Sequence, residues 1–107
     1  LDVNQQDSDG YTALHWAAQG GQLNTLKYLI EEVHVDGNQQ DSDGYTALHL
    51  AAWKGHLDTV KYLIEEVQAD VNLQTNNGKT ALHLAALKSH RDTVKYLEKI
   101  KKSKNLK

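Results

Sequence analysis

The chain has 107 residues, enough for one domain, and 39% hydrophobic residues, enough for a modest core only if packing is shared along its length. Its net charge of −2 hides a division: residues 1–90 hold 5 Lys/Arg against 12 Asp/Glu, whereas residues 91–107 hold 7 against 2. The acidic body excludes a nucleic-acid surface there, since phosphate binding needs a cationic face, and the absence of cysteine excludes disulfides, thiolate chemistry and zinc–cysteine sites.

Taken in order, the chain repeats itself. T-A-L-H followed by a small apolar run stands at Thr12 to Ala18, Thr46 to Ala52 and Thr80 to Ala86, each 34 residues after the last. Asp2 to Val35 laid over Asp36 to Ala69 gives 25 identical positions of 34, with Val3/Gly37, Trp16/Leu50, Gln19/Trp53 and Gly20/Lys54 among the differences. The third unit, from Asp70, drifts and runs into Lys-rich sequence after Tyr96. The expected repeats are 2–35, 36–69 and 70–98, with a loose basic tail at 99–107. A period of this size means stacked supersecondary units, each too small to bury its apolar face alone.

Within a unit the signals alternate. Asp41-Ser42-Asp43-Gly44 is a turn cluster, and Thr46 is an N-cap before the short face of Ala47, Leu48, Ala51 and Ala52. Gly55 breaks that helix. A second runs from about Leu57 to Glu66, with Val60, Leu63, Ile64 and Val67 at three- and four-residue spacing. Each repeat is therefore a polar turn followed by a helix pair, the small alanines permitting close approach of neighbours. No apolar run reaches membrane-spanning length and no secretory signal pattern opens the chain; Leu1 at the start reads as the edge of a segment cut from something longer, or of an engineered array.

These residues identify the chain as resembling the ankyrin-repeat family over residues 2–98: T-A-L-H at Thr12, Thr46 and Thr80, the helix–helix turn glycines Gly21 and Gly55, Gly55-His56, and Asp-Val-Asn at Asp2 and Asp70. Tetratricopeptide repeats share the period, but the long polar turn between Val33 and Thr46 does not suit them. The resemblance implies an all-α solenoid of stacked helix–turn–helix units joined by β-turn or hairpin loops. It also implies a cytoplasmic or nuclear setting.

Several departures matter. Ala13, Ala47 and Ala81 replace the family's proline at the first helical position. The period exceeds the usual repeat by one residue, added where a glycine ordinarily ends the second helix; Val33-His34-Val35 and Val67-Gln68-Ala69 stand there. Because a β-branched residue resists the left-handed conformation of such a cap, the connection is expected to follow another path. Ser89 replaces the helix-turn glycine in the third unit. Gly37 stands where Val3 and Val71 stand, so Gly37→Val is expected to stabilise by restoring apolar contact. Glu98 falls where Ile30 and Ile64 stand, as a terminal repeat facing water requires, whereas the first unit has no polar dressing. If the chain begins at Leu1, an apolar face including Leu26 and Ile30 is expected to lie uncovered and to invite self-association.

No chemistry suggests itself. His15, His49 and His83 repeat with the signature, but a repeat's separation is too far for one metal ion and none has a nucleophile in its motif. In the family this histidine bonds the threonine three residues earlier, here Thr12, Thr46 and Thr80, and ties adjacent repeats. Placed near helix N-termini, the three are expected to stay neutral and to make stability fall with acid. Asp7-Ser8-Asp9-Gly10 resembles a calcium loop, but with Gly10 sixth the first and twelfth positions are Gln5 and Trp16 rather than acidic ligands. The Glu31-Glu32 and Glu65-Glu66 pairs are neighbours on exposed helix ends, not opposed across a cleft. Lys99, Lys101, Lys102, Lys104 and Lys107 could address a nucleus or an anionic membrane, though no lipidation motif supports an anchor; the blander reading is that lysines complement a helix C-terminus. No enzyme activity and no cofactor or metal is expected.

What remains is surface. By the same resemblance a protein partner would lie on the turn tips and the exposed ends of the first helices. That face comprises Ser8, Asp9, Tyr11 and Gln19; Ser42, Asp43, Tyr45, Trp53 and Lys54; and Asn76, Asn77, Lys79, Leu87 and Lys88. Tyr11, Tyr45 and an exposed Trp53 would anchor a partner segment carrying basic residues, with Asp7, Asp9, Asp41 and Asp43 as a charged rim and neither nucleic acid nor membrane as partner. The alternative is a scaffold with no ligand of its own: a consensus-like array or one slice of a longer solenoid, in which the tyrosines cover the turn.

Overall fold

A computed structural model describes residues 5–105 of the chain. Among them lie six helices: α1 Ala13–Gln19, α2 Leu23–Glu31, α3 Ala47–Lys54, α4 Leu57–Glu65, α5 Ala81–Leu87 and α6 Arg91–Asn105. They pair as α1/α2, α3/α4 and α5/α6, and the inner helices α1, α3 and α5 stack in sequence. The stacking distance is set by alanine: Ala17, Ala18, Ala51, Ala52 and Ala85 are buried, and Leu26, Leu48, Leu63 and Val60 fill the space behind them. Fully burying each of those larger side chains contributes roughly 2 kcal/mol.

Local chemistry sets the helix starts. Thr12, Thr46 and Thr80 are extended N-caps whose hydroxyls accept the backbone N–H of His15, His49 and His83, while each imidazole accepts the threonine's own N–H. This is a capping box with histidine in the place usually held by Glu or Gln. The ends of the second helices absorb the additional residue of the period. Val33 N–H reaches back to the Tyr28 carbonyl and Val35 N–H to that of Leu29, and Val67 and Ala69 do the same to Tyr62 and Leu63. The last turn is thereby widened. The β-branched valines avoid the left-handed conformation, as expected, but the path is not free of it: His34 and Gln68 adopt it at φ 65° and 61°.

Three other expectations are corrected. Leu26 does not lie uncovered: it is fully buried, and Ile30 is half-buried. A Cβ on Gly37 would stand 2.7 Å from Cγ1 of Val67. Apolar contact there is already made from Val67, so a valine at 37 must displace it before it adds anything. The basic tail is not loose, because α6 continues through it to Asn105. Ser89 keeps the left-handed turn of the glycine it replaces, at φ 60°. Glu98 is exposed. Asp2, Val3 and Lys107 lie outside the described residues. Among the described residues, no helix is long and apolar enough to cross a membrane.

Candidate functional site: the groove between the first two turn tips

The repeats are joined by polar locks. His15 and His49 are buried, and with Nδ1 accepting from threonine the proton sits on Nε2, which donates to the Tyr45 carbonyl at 2.9 Å and the Leu73 carbonyl at 2.8 Å. Burial pushes the His49 imidazole below its ordinary 6.5, against the smaller opposing pull of its carbonyl partners. The largest cause is loss of water. His83 keeps its Thr80 bonds but is exposed. A second set was not anticipated: His56 Nε2–H donates to the Gln19 carbonyl at 3.0 Å and His90 Nε2–H to that of Trp53 at 2.9 Å. On the outer helices, Tyr62 O–H donates to Glu31 at 2.6 Å and Tyr96 O–H to Glu65 at 2.5 Å, with Lys27 and Lys61 over the two rings.

The turn tips are built by aspartate. Oδ1 of Asp7 accepts the N–H groups of Asp9 and Tyr11, and Oδ1 of Asp41 those of Asp43 and Tyr45, which folds each tip back on itself. Neighbouring tips then join: Ser42 N–H donates to the Asp9 carbonyl at 3.0 Å and Asn76 N–H to that of Asp43 at 2.8 Å. Asp7 and Asp41 thus have structural duty besides their charge, and their copy in the third unit is Thr75.

Between the first two tips and the ends of α1 and α3 opens a groove of about 450 Å³, lined by Asp9, Tyr11, Trp16, Gln19, Asp41, Asp43, Tyr45, Leu50 and Trp53. Tyr11 holds its floor by packing on His15, at 5.1 Å between ring centroids, and on Trp16, at 4.8 Å, while its hydroxyl donates to Gln19 at 3.1 Å. Burial raises the Tyr11 phenol above its ordinary value, and the charges of Asp41, Asp7 and Asp9 push it further the same way. The local potential is negative.

The structure gathers only part of the expected face. Asp9, Tyr11, Gln19, Asp43, Tyr45 and Trp53 share the groove. Ser8 and Ser42 are exposed on the tips, and Asn76, Asn77, Lys79, Leu87 and Lys88 lie exposed in the third repeat outside it. Trp53 is not the exposed anchor expected: it is half-buried, its Nε1 is covered without a hydrogen-bond partner, and Lys54 and Lys88 each place an ammonium 5.6 Å from its ring. The exposed indole is Trp16, 57% accessible. In the sequence its mark is the Trp16/Leu50 difference between the first two units. The signal was there, since a large aromatic replaced an aliphatic residue at a position that Leu50 and Leu84 bury.

Among the described residues no group of three or more His, Asp or Glu is placed to hold a metal ion. What the groove offers instead is aromatic area, carboxylate charge and exposed tips. A family model of ankyrin repeats in three copies matches residues 1–75 and again residues 34–107. A comparison with curated proteins finds no match. Ankyrin repeats are in general protein-interaction modules and typically non-catalytic. With three helix pairs stacked on buried alanines, histidine locks between neighbouring units and that model matching from end to end, the chain belongs to the ankyrin-repeat family.

Proposed function

We propose that the chain is a protein-binding module that holds a partner segment carrying basic residues against the turn tips and inner-helix ends of its first two repeats, without catalysis. The observation that carries this reading is the groove itself. Four aromatic rings and three carboxylates line one opening of about 450 Å³, and among the described residues neither Asp9 nor Asp43 is engaged in an ion pair. Aromatic anchors inside a charged rim are what interface hot spots favour, the rings supplying buried area and the charges steering encounter.

The exposed anchor is Trp16, so it replaces Trp53 as the residue to test. A partner captured with the intact chain should perturb Tyr11, Trp16 and Tyr45 in NMR spectra. Trp16→Ala should weaken its binding by about 2 kcal/mol while moving stability little. A partner held equally by the variant, with its contacts mapped to the outer helices, would sink the reading. A chain that captures nothing on this face supports the scaffold reading instead.

A further inference from the structure

The geometry points to an arginine side chain as the occupant of this groove: its guanidinium lies on the Trp16 and Tyr11 rings, with Asp9 and Asp43 as its counter-charges. This rests on the reading just given and narrows it from a basic segment to one side chain in one subsite.

The groove divides unequally between its two tryptophans. Trp53 already has cations: Lys54 from its own repeat and Lys88 from the next stand over its ring at 5.6 Å each. An incoming positive charge is repelled from that end. Trp16 carries no such lysine among the described residues, because the residue after Gln19 is Gly20 where Lys54 follows Trp53. Its indole is 57% accessible, lies 4.8 Å from the Tyr11 ring and is tilted 57° to it, so the pair forms two walls of a corner rather than a closed stack.

Carboxylates line the same groove. Asp41 is occupied by two backbone N–H groups, whereas Asp9 and Asp43 are exposed and not ion-paired among the described residues. A ligand cation brings attraction from ring faces and carboxylates together, and the volume suits one long side chain with its flanking backbone. Arginine fits better than lysine for a physical reason. A planar, weakly hydrated guanidinium lies flat on an indole while its edge N–H groups reach carboxylates, whereas an ammonium must shed tightly held water to do the same.

The test uses the intact chain with three probes: N-acetyl-arginine methylamide, its lysine counterpart and its citrulline counterpart, which keeps the shape and loses the charge. Saturable shifts of the Trp16 indole N–H are expected for arginine, weaker ones for lysine and none for citrulline. Read at the Tyr11 and Tyr45 backbone amides, Trp16→Ala and Asp9→Asn/Asp43→Asn should each weaken arginine binding at least fivefold, while Lys54→Ala should strengthen or leave it. Equal shifts from citrulline and arginine, or arginine binding unchanged by both groove variants, overturn the assignment. To separate this from the wider reading, a captured partner is made with citrulline at its arginines. If it still binds through Trp16, the arginine subsite falls and the binding face stands; if its contacts map to the outer helices, both fall.

Discussion

The second and third repeats share the T-A-L-H signature, yet they are held differently. In the second, His49 is buried and bridges to Leu73, Gly55 lies against the His90 ring, and Tyr45 and Asp43 face the groove. In the third, His83 is exposed, Ser89 stands in place of the glycine, and Lys79 and Asn77 occupy the tip. The same motif is thus a bridge where a neighbouring repeat packs on it and, among the described residues, only a helix cap where none does. Position in the stack, not the letters, decides its energetic weight, as expected for a solenoid whose stability sums over nearest-neighbour interfaces.

The largest test of that contrast swaps the two histidines for alanine. His49→Ala leaves the Thr46 N–H and the Leu73 carbonyl without a partner in a buried site, and should cost on the order of 3 kcal/mol. His83→Ala removes only a capping bond and should cost about 1 kcal/mol. Equal urea midpoints for the two variants would break the comparison.

The turn glycines sharpen it. A Cβ on Gly55 would come within 2.5 Å of the His90 ring, and the backbone there is left-handed at φ 74°. Gly55→Ser should therefore cost about 2 kcal/mol, from crowding and strain together. Ser89 bears the strain without the crowding, since no further repeat packs on it among the described residues. Ser89→Gly should stabilise by about 1 kcal/mol, and Gln68→Gly, at φ 61°, by a similar amount. Thermal melts in which Ser89→Gly lowers the midpoint would show that the serine side chain makes a contact of its own.

A third comparison sets Tyr62 against Tyr28. Burial and the hydrogen bond to Glu31 push the Tyr62 phenol up to about 12, whereas the Tyr28 side chain is 61% exposed. Tyr62→Phe should cost about 1 kcal/mol, a hydrogen bond to a charged acceptor discounted for its solvent access, and Tyr28→Phe nothing measurable. Identical denaturation curves for wild type and Tyr62→Phe would mean that packing alone joins those helices.

The smallest effect is with pH. Because burial lowers the His49 value in the fold, the unfolded chain takes up its proton first. This contribution is intact above the unfolded value of roughly 6.5 and declines as pH falls from there towards the lower folded one. Repeating the melts with His49→Ala should remove that part of the slope; an unchanged slope would place the acid sensitivity elsewhere.

Much of this was legible in the letters, for identifiable reasons. A period of 34 with threonine, alanine and glycine in fixed places encodes helix starts, close approach and turns, all local properties, and the six helices follow. The tip residues Asp9, Tyr11, Asp43 and Tyr45 were legible for the same reason. What was hidden depends on what stands opposite. The depth of Trp53 is set by Lys54, Lys88 and Tyr45 arriving from three elements, and the room at Gly37 by Val67 from the end of α4. The Tyr62–Glu31 and Tyr96–Glu65 bonds join residues 31 apart on helices whose own patterns show only solvated faces.

The unequal settings of the two tryptophans also make the molecule its own optical instrument. Trp53 is shielded and flanked by ammonium groups from the second and third repeats, while Trp16 stands mostly in water at the far end of the groove. Detachment of the third repeat would remove Lys88 and the His90 bond from Trp53 and change its emission, leaving that of Trp16 as it was. A ligand in the groove would alter Trp16 first. With Trp16→Phe and Trp53→Phe as single-tryptophan backgrounds, intrinsic fluorescence could follow unzipping of the stack and occupancy of its face as two separate signals, with no label attached.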